Sequence, residues 1–153
     1  MKGEGLERFV KAQEQSYGQA LREIQNGRKR SHWMWYIFPQ IQGLGHSPIA
    51  QYYAVRDQAE AKAYMAHPVL GSRLLEISKE LLRLKSSNAR EVLGSPDDMK
   101  LKSSMTLFET VSDEPVFGRV LDQFFAGERD MLTLDFLKKE NGQADQGAGR
   151  RSL

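Results

Sequence analysis

The sequence predicts an all-α fold, a compact single-domain bundle of about seven helices. Apolar residues recur at three- and four-residue spacing along most of the chain, the signature of amphipathic helices. Between these stretches stand helix-start residues (Ser, Asp or Asn ahead of a proline or an acidic residue) and helix-stop glycines. No run of four or more residues alternates as a half-buried strand requires, although Thr133 to Leu137 is short enough to be ambiguous. About two thirds of the chain reads as helix, against the usual 30–35% or so.

The first helix spans Glu4 to Asn26, with Leu6, Phe9, Val10, Gln13, Tyr17, Ala20, Leu21 and Ile24 on one stripe and Gly27 as its stop. Arg28-Lys29-Arg30 follows, where cations complement the last carbonyls. Residues 31–45 have no clear period and read as an irregular, largely buried segment. Ser47-Pro48 opens a short helix through Ile49, Tyr52, Tyr53 and Val55. Asp57 with Glu60 forms a capping-box pattern for another, ending near His67. Pro68 starts a long helix carrying Val69, Leu70, Leu74, Ile77, Leu81 and Leu84, which should be central to the core.

Asn88 with Glu91 caps a single turn closed by Gly94, and Ser95-Pro96-Asp97-Asp98 starts a helix to about Thr110. A further helix from Pro115 to Phe125 stops at Gly127. Asp130 caps a last one through Leu132, Leu134, Phe136 and Leu137 to Lys139, with Asn141-Gly142 as its stop. The domain is therefore expected over residues 4–140, with a flexible tail over 141–153.

A chain of 153 residues, 40% hydrophobic and 27% charged, is the size and composition of one folded domain and too apolar for a disordered one. Without cysteine it has no disulfide, thiolate nucleophile or thiolate metal site, which fits a reducing compartment and a cytoplasmic location. The longest apolar run, Trp33 to Phe38, falls far short of the ~18 residues a membrane span needs. Basic and acidic residues, 22 and 20, are interspersed, so charge does not indicate nucleic acid as a partner. Phosphate-binding glycine loops with lysine, His-Glu-x-x-His and Gly-x-Ser-x-Gly are absent, and His32, His46 and His67 lack the spacing of a helical metal pair. Neither a metal nor a cofactor is implied. The oligomeric state stays open.

Two stretches remain as candidates for chemistry. Four of the fourteen aromatics, both tryptophans among them, fall within Trp33 to Phe38. Two indoles offer flat faces for a planar ligand and N–H groups that need partners when buried. His32, Gln40, Gln42, His46 and Gln51 are polar company that would be costly to bury unpaired. The second stretch is Met99 to Phe108, where Ser103 and Ser104 are poor helix formers placed mid-helix, a sign of close packing or of a hydrogen-bonding duty. In both places plain core is the competing explanation.

His32 to Gln40, Gly43-Leu44-Gly45, Tyr52-Tyr53-Ala54-Val55, His67-Pro68-Val69-Leu70-Gly71, Pro96-Asp97-Asp98 and Lys102 to Phe108 together resemble the motifs of an uncharacterised bacterial and fungal family. Its members are labelled as a domain of unknown function, sometimes with an automated "calpastatin" tag that these residues do not support. The resemblance runs from about Leu6 to Leu137 and implies a YbiA-like helical domain, distantly related to NADAR domains of ADP-ribose and NAD metabolism, some of them N-glycosidases. The NADAR Ser-Glu-His-Tyr element falls on Ile49-Ala50-Gln51-Tyr52, so its acid becomes Ala50, and its Lys-Phe pair falls on Leu107-Phe108. The later Trp-Gly and Gly-x-Asn elements have no counterpart in residues 143–153. A positioned carboxylate contributes roughly 10²–10⁴ in rate, so the resemblance carries a binding pocket further than it carries turnover.

The resulting expectation is a pocket for a nucleotide- or ribose-containing small molecule, with N-glycosidase-type hydrolysis as an added step that the residues do not argue for. Trp33 and Trp35 would supply stacking walls, His32, Gln40, Gln51 and Tyr52 hydrogen bonds, and Lys102, Ser103 and Ser104 contacts to phosphate or ribose hydroxyls. The alternative is a non-catalytic protein-interaction module whose aromatic strip is structural core.

Overall fold

The computed structural model describes the backbone of residues 5–152 and the side chains of residues 5–141. Among the described residues the chain forms nine helices and no strand: α1 (Glu7–Gln25), α2 (Met34–Ile37), α3 (Pro48–Tyr52), α4 (Gln58–Ala66), α5 (Leu70–Leu82), α6 (Ala89–Leu93), α7 (Asp97–Val111), α8 (Pro115–Phe125) and α9 (Met131–Ser152). The extra helix relative to the sequence pattern is α2, a single turn hidden inside the aromatic run. No helix is long and apolar enough to cross a membrane.

The cap residues read from the sequence close their helices. Ser47 accepts from Ala50 N–H at 3.2 Å, Asp57 from Glu60 N–H at 2.8 Å and Asn88 from Glu91 N–H at 3.1 Å. At α9, Asp130 accepts from Thr133 N–H at 3.0 Å. Each bond satisfies one of the orphan N–H groups of a first turn. Glu60 departs from the capping-box pattern: it is buried and accepts from Arg56 N–H at 3.0 Å instead of from its own cap residue. The predicted stop at Asn141-Gly142 is a correction, because α9 continues to Ser152. Glycine inside a helix costs about 1 kcal/mol relative to alanine but does not forbid it.

Two helices organise the core. α5 packs on α1, α4 and α8, while α7 touches α4, α6, α8 and α9. The pattern of α5 shows its role openly, with Leu70, Leu74, Ile77 and Leu81 all buried. α7 hides its role, since it buries side chains around most of its circumference, including Ser103, Ser104 and Thr106. The hydroxyls of Ser103 and Thr106 return to their own helix, donating to Met99 O at 3.1 Å and to Lys102 O at 2.8 Å, while the buried Ser104 hydroxyl has no hydrogen-bond partner among the described residues. Small side chains let four neighbours close on one helix. At α4 and α5 the approach is closer still, as a Cβ on Gly71 would lie 2.1 Å from Met65 O.

Gln13, a polar residue on the apolar stripe of α1, is 2% exposed and donates to Tyr36 O at 2.7 Å and to the Tyr64 hydroxyl at 3.0 Å. It thereby ties α1 to α2 and α4 from within the core.

Candidate functional site

The connection before α3 and the one after it meet in a single parallel bridge, Ile41 with Val55. Val55 N–H donates to Gln40 O at 2.8 Å and Gln42 N–H to Val55 O at 2.7 Å. Arg8, in the first turn of α1, fastens this loop pair to the bundle. Its Nε donates to Tyr52 O at 2.7 Å, its Nη2 to Ala54 O at 2.7 Å and to Glu60 Oε1 at 3.1 Å, and its Nη1 to Gly5 O. Arg8 is only 8% exposed, so its guanidinium is a post inside the wall and not a surface cation.

Around that post lies a cleft of about 270 Å³. It is lined by Gly5, Arg8, Gln42, Gln51, Tyr52, Ala54 and Arg56. Tyr52 is 46% exposed and stands edge-on to Tyr53, with ring centroids 4.8 Å apart and planes at 84°. Gln51 donates to His46 O at 2.9 Å, which orients its amide. The Arg56 side chain is 61% exposed and approaches Glu60 Oε2 at 2.9 Å.

Burial pushes the Glu60 carboxyl up. The hydrogen bonds from Arg8 and from Arg56 N–H, with the charges of both arginines, outweigh that, and the net direction is down. Glu60 therefore stays a carboxylate. Two guanidiniums, those of Arg8 and Arg56, lie against it.

The structure divides the residues expected to form one pocket. Gln51 and Tyr52 line the cleft. Gln40 is half-buried next to it and contributes its backbone carbonyl to the bridge. Trp33 is a correction: at 1% exposure it is core, its indole N–H donates to Glu23 at 2.9 Å and Lys29 lies 5.3 Å from its ring. A ring enclosed on all sides cannot wall a ligand. Trp35 is half-buried beneath Lys100, 4.9 Å from its ring, and His32 is exposed.

Lys102, Ser103 and Ser104 lie on α7 and none of them lines the cleft. Lys102 pairs with Glu128 at 3.3 Å, Ser103 caps its own helix carbonyl, and Ser104 is fully buried. The sequence reading missed Arg8 and Arg56. Arg56 carries a legible signal, an (i, i+4) match to Glu60, whereas the partner of Arg8 is 52 residues away.

A second depression, of about 380 Å³, sits where the ends of α1 and α5 meet and is lined by Gln25, Glu80, Arg83 and Leu84. It is larger, but it has no aromatic face, and Arg83 already pairs with Glu80 at 3.6 Å. The cleft at Tyr52 is the better candidate. Among the described residues no cluster of His, Asp or Glu has the makings of a metal site.

Comparison with known proteins gives a consistent result. Residues 3–137 match the family model described as "Protein of unknown function (DUF1810)". A crystal structure of a conserved hypothetical protein from Mycobacterium tuberculosis is similar at 41% identity, with a TM-score of 0.86, over 88% of this chain and 96% of that one. No curated protein matches.

Proposed function

The chain belongs to the DUF1810 family, and we propose that its cleft binds a small nucleotide- or ribose-containing anion, with Tyr52 stacking on the planar part and Arg56 facing the charge. The observation that carries this reading is the convergence, on one cleft, of an exposed phenol ring, two side-chain amides and an exposed guanidinium. Ligand pockets usually measure about 300–1,000 Å³, and a volume of about 270 Å³ suits a mononucleotide or a sugar phosphate better than a whole dinucleotide. Similarity to YbiA-like and NADAR domains, drawn from the sequence motifs, supports the same ligand class. A cytoplasmic location belongs to the same proposal.

Hydrolysis of an N-glycosidic bond is a further step. It needs a carboxylate at the bond, and Ala50 stands where the resemblance puts one. Glu60, which contacts the cleft residues Arg8 and Arg56, has its Oε1 held by Arg8 and by Arg56 N–H. The function proposed is therefore binding.

Thermal-shift and calorimetric titration with AMP, GMP, ADP-ribose, NAD and flavin precursors tests it. Mononucleotides should stabilise the protein, and Tyr52→Ala should weaken them by about tenfold, since base stacking is worth roughly 1–3 kcal/mol. No stabilisation of the folded protein by any of them would overturn the reading.

A second reading, a non-catalytic protein-interaction module, is favoured by the burial of Trp33, which makes that part of the aromatic strip core. It predicts that no nucleotide shifts the melting curve, so the same titration separates the two.

A further inference from the structure

The two oxygens of Glu60 are treated very differently. Oε1 accepts from Arg8 Nη2 at 3.1 Å and from Arg56 N–H at 3.0 Å, so the carboxylate is fixed in place. Oε2 has no hydrogen-bond partner among the described residues, although it is buried. The Arg56 guanidinium lies 2.9 Å from it, an ion pair without hydrogen-bond alignment. The Glu60 side chain is 5% exposed and that of Arg56 61% exposed, so one partner is locked and the other hangs over the cleft. A buried acceptor left without a donor is unfavourable, and a half-exposed ion pair is weak and easily exchanged.

Resting on the reading of this cleft as a ligand site, we propose that Arg56 is a two-position side chain that covers Glu60 Oε2 when the cleft is empty and turns to the ligand's anionic group when it is filled. Turning uncovers Oε2 as an acceptor. The ligand that satisfies both groups at once carries a hydroxyl donor within a few ångströms of its negative charge, as a hydroxylated phosphomonoester does. Inorganic phosphate meets Arg56 only, and a neutral polyol meets Glu60 only. Glu60 is then a specificity-determining residue for the hydroxyl, and Arg56 for the charge.

Isothermal titration of the full chain with inorganic phosphate, glycerol, glycerol 1-phosphate and AMP tests this. The wild type should bind glycerol 1-phosphate about tenfold tighter than inorganic phosphate. Arg56→Gln should weaken phosphate and glycerol 1-phosphate alike by about tenfold. Glu60→Gln should keep or tighten the binding of phosphate while the tenfold preference collapses. A preference that survives Glu60→Gln, or binding indifferent to Arg56→Gln, would overturn the proposal.

Should Glu60→Gln fail to fold, the Arg56 Nε–H resonance in the wild-type protein serves instead. It should shift on addition of glycerol 1-phosphate, and an unmoved signal at saturation counts against the two positions. AMP binding that depends on Tyr52 and Arg56 but not on Glu60 sinks this inference alone. Glycerol 1-phosphate binding that depends on both Arg56 and Glu60, without any AMP binding, sinks the nucleotide reading alone, and failure of every probe sinks both.

Discussion

The two ends of α1 each hold a buried carboxylate, and the chain completes one of them while leaving the other open. At the C-terminal end Glu23 accepts from Arg30 N–H at 2.7 Å, Ser31 N–H at 3.0 Å, the Ser31 hydroxyl at 2.6 Å and the Trp33 indole at 2.9 Å. Lys29 closes the outside by pairing with Asp97 at 2.9 Å. At the N-terminal end Glu60 has one oxygen satisfied and the other without a hydrogen-bond partner among the described residues, 2.9 Å from an exposed arginine. Buried polar groups that are fully partnered specify structure, whereas an unmatched one invites an outside partner. The aromatic strip belongs to the first kind of site and Tyr52 to the second, although both present aromatics with polar neighbours in sequence.

The sharpest way to break this contrast is to attack the closed end. Trp33→Ala should cost about 3–5 kcal/mol, because it empties a buried site and removes one of the donors to Glu23. For a chain of this size each kcal/mol lowers the melting temperature by roughly 2–4 °C, so scanning calorimetry should show a fall on the order of 10 °C or more. A near-native melting temperature would mean that Trp33 is replaceable and that the closed end is not a structural lock.

Acid should loosen the same end by a smaller amount. Burial raises the Glu23 carboxyl, but the Ser31 hydroxyl, Arg30 N–H, Trp33 indole and Ser31 N–H bring it down from 4.5 to about 2. A depressed folded-state value means that the stabilisation is complete above about pH 4.5 and is lost as pH falls toward 2. Glu60, also shifted down, contributes in the same direction. Glu23→Gln should cost about 2 kcal/mol at neutral pH and flatten the stability profile below pH 4.5. A profile as steep in the variant as in the wild type would assign the acid sensitivity to other carboxylates.

How much of this was legible in the sequence follows from the range of the interactions. Caps act over three residues, so Ser47, Asp57, Asn88 and Asp130 could be read directly. Helical periodicity is equally local, and it exposed the core face of α5. α7 was harder, since a helix enclosed by four neighbours has no wet face to set a period. The candidate site was legible at Gln42, Gln51 and Tyr52. Arg8 joins it through carbonyls 44 and 46 residues away and a carboxylate 52 away, distances at which one sequence carries no pattern. Trp33 misled for a related reason: its partner, Glu23, looks like one more polar residue near the end of an amphipathic helix, and nothing local shows that it turns inward.

The smallest expected effect on stability tests the open end most cleanly. Arg8 holds the loop through the backbone carbonyl of Tyr52, at 2.7 Å, and not through its ring. Tyr52→Ala therefore keeps the scaffold bond and removes only an exposed ring with one edge-on neighbour, worth about 1 kcal/mol or less. If the ring is there to meet a ligand, the variant should melt within about 4 °C of the wild type while AMP affinity falls about tenfold. Trp33→Ala should do the reverse, lowering stability severely while any protein that remains folded keeps its affinity. Equal behaviour of the two variants, in either direction, would erase the distinction between a closed end that holds the fold and an open end that binds.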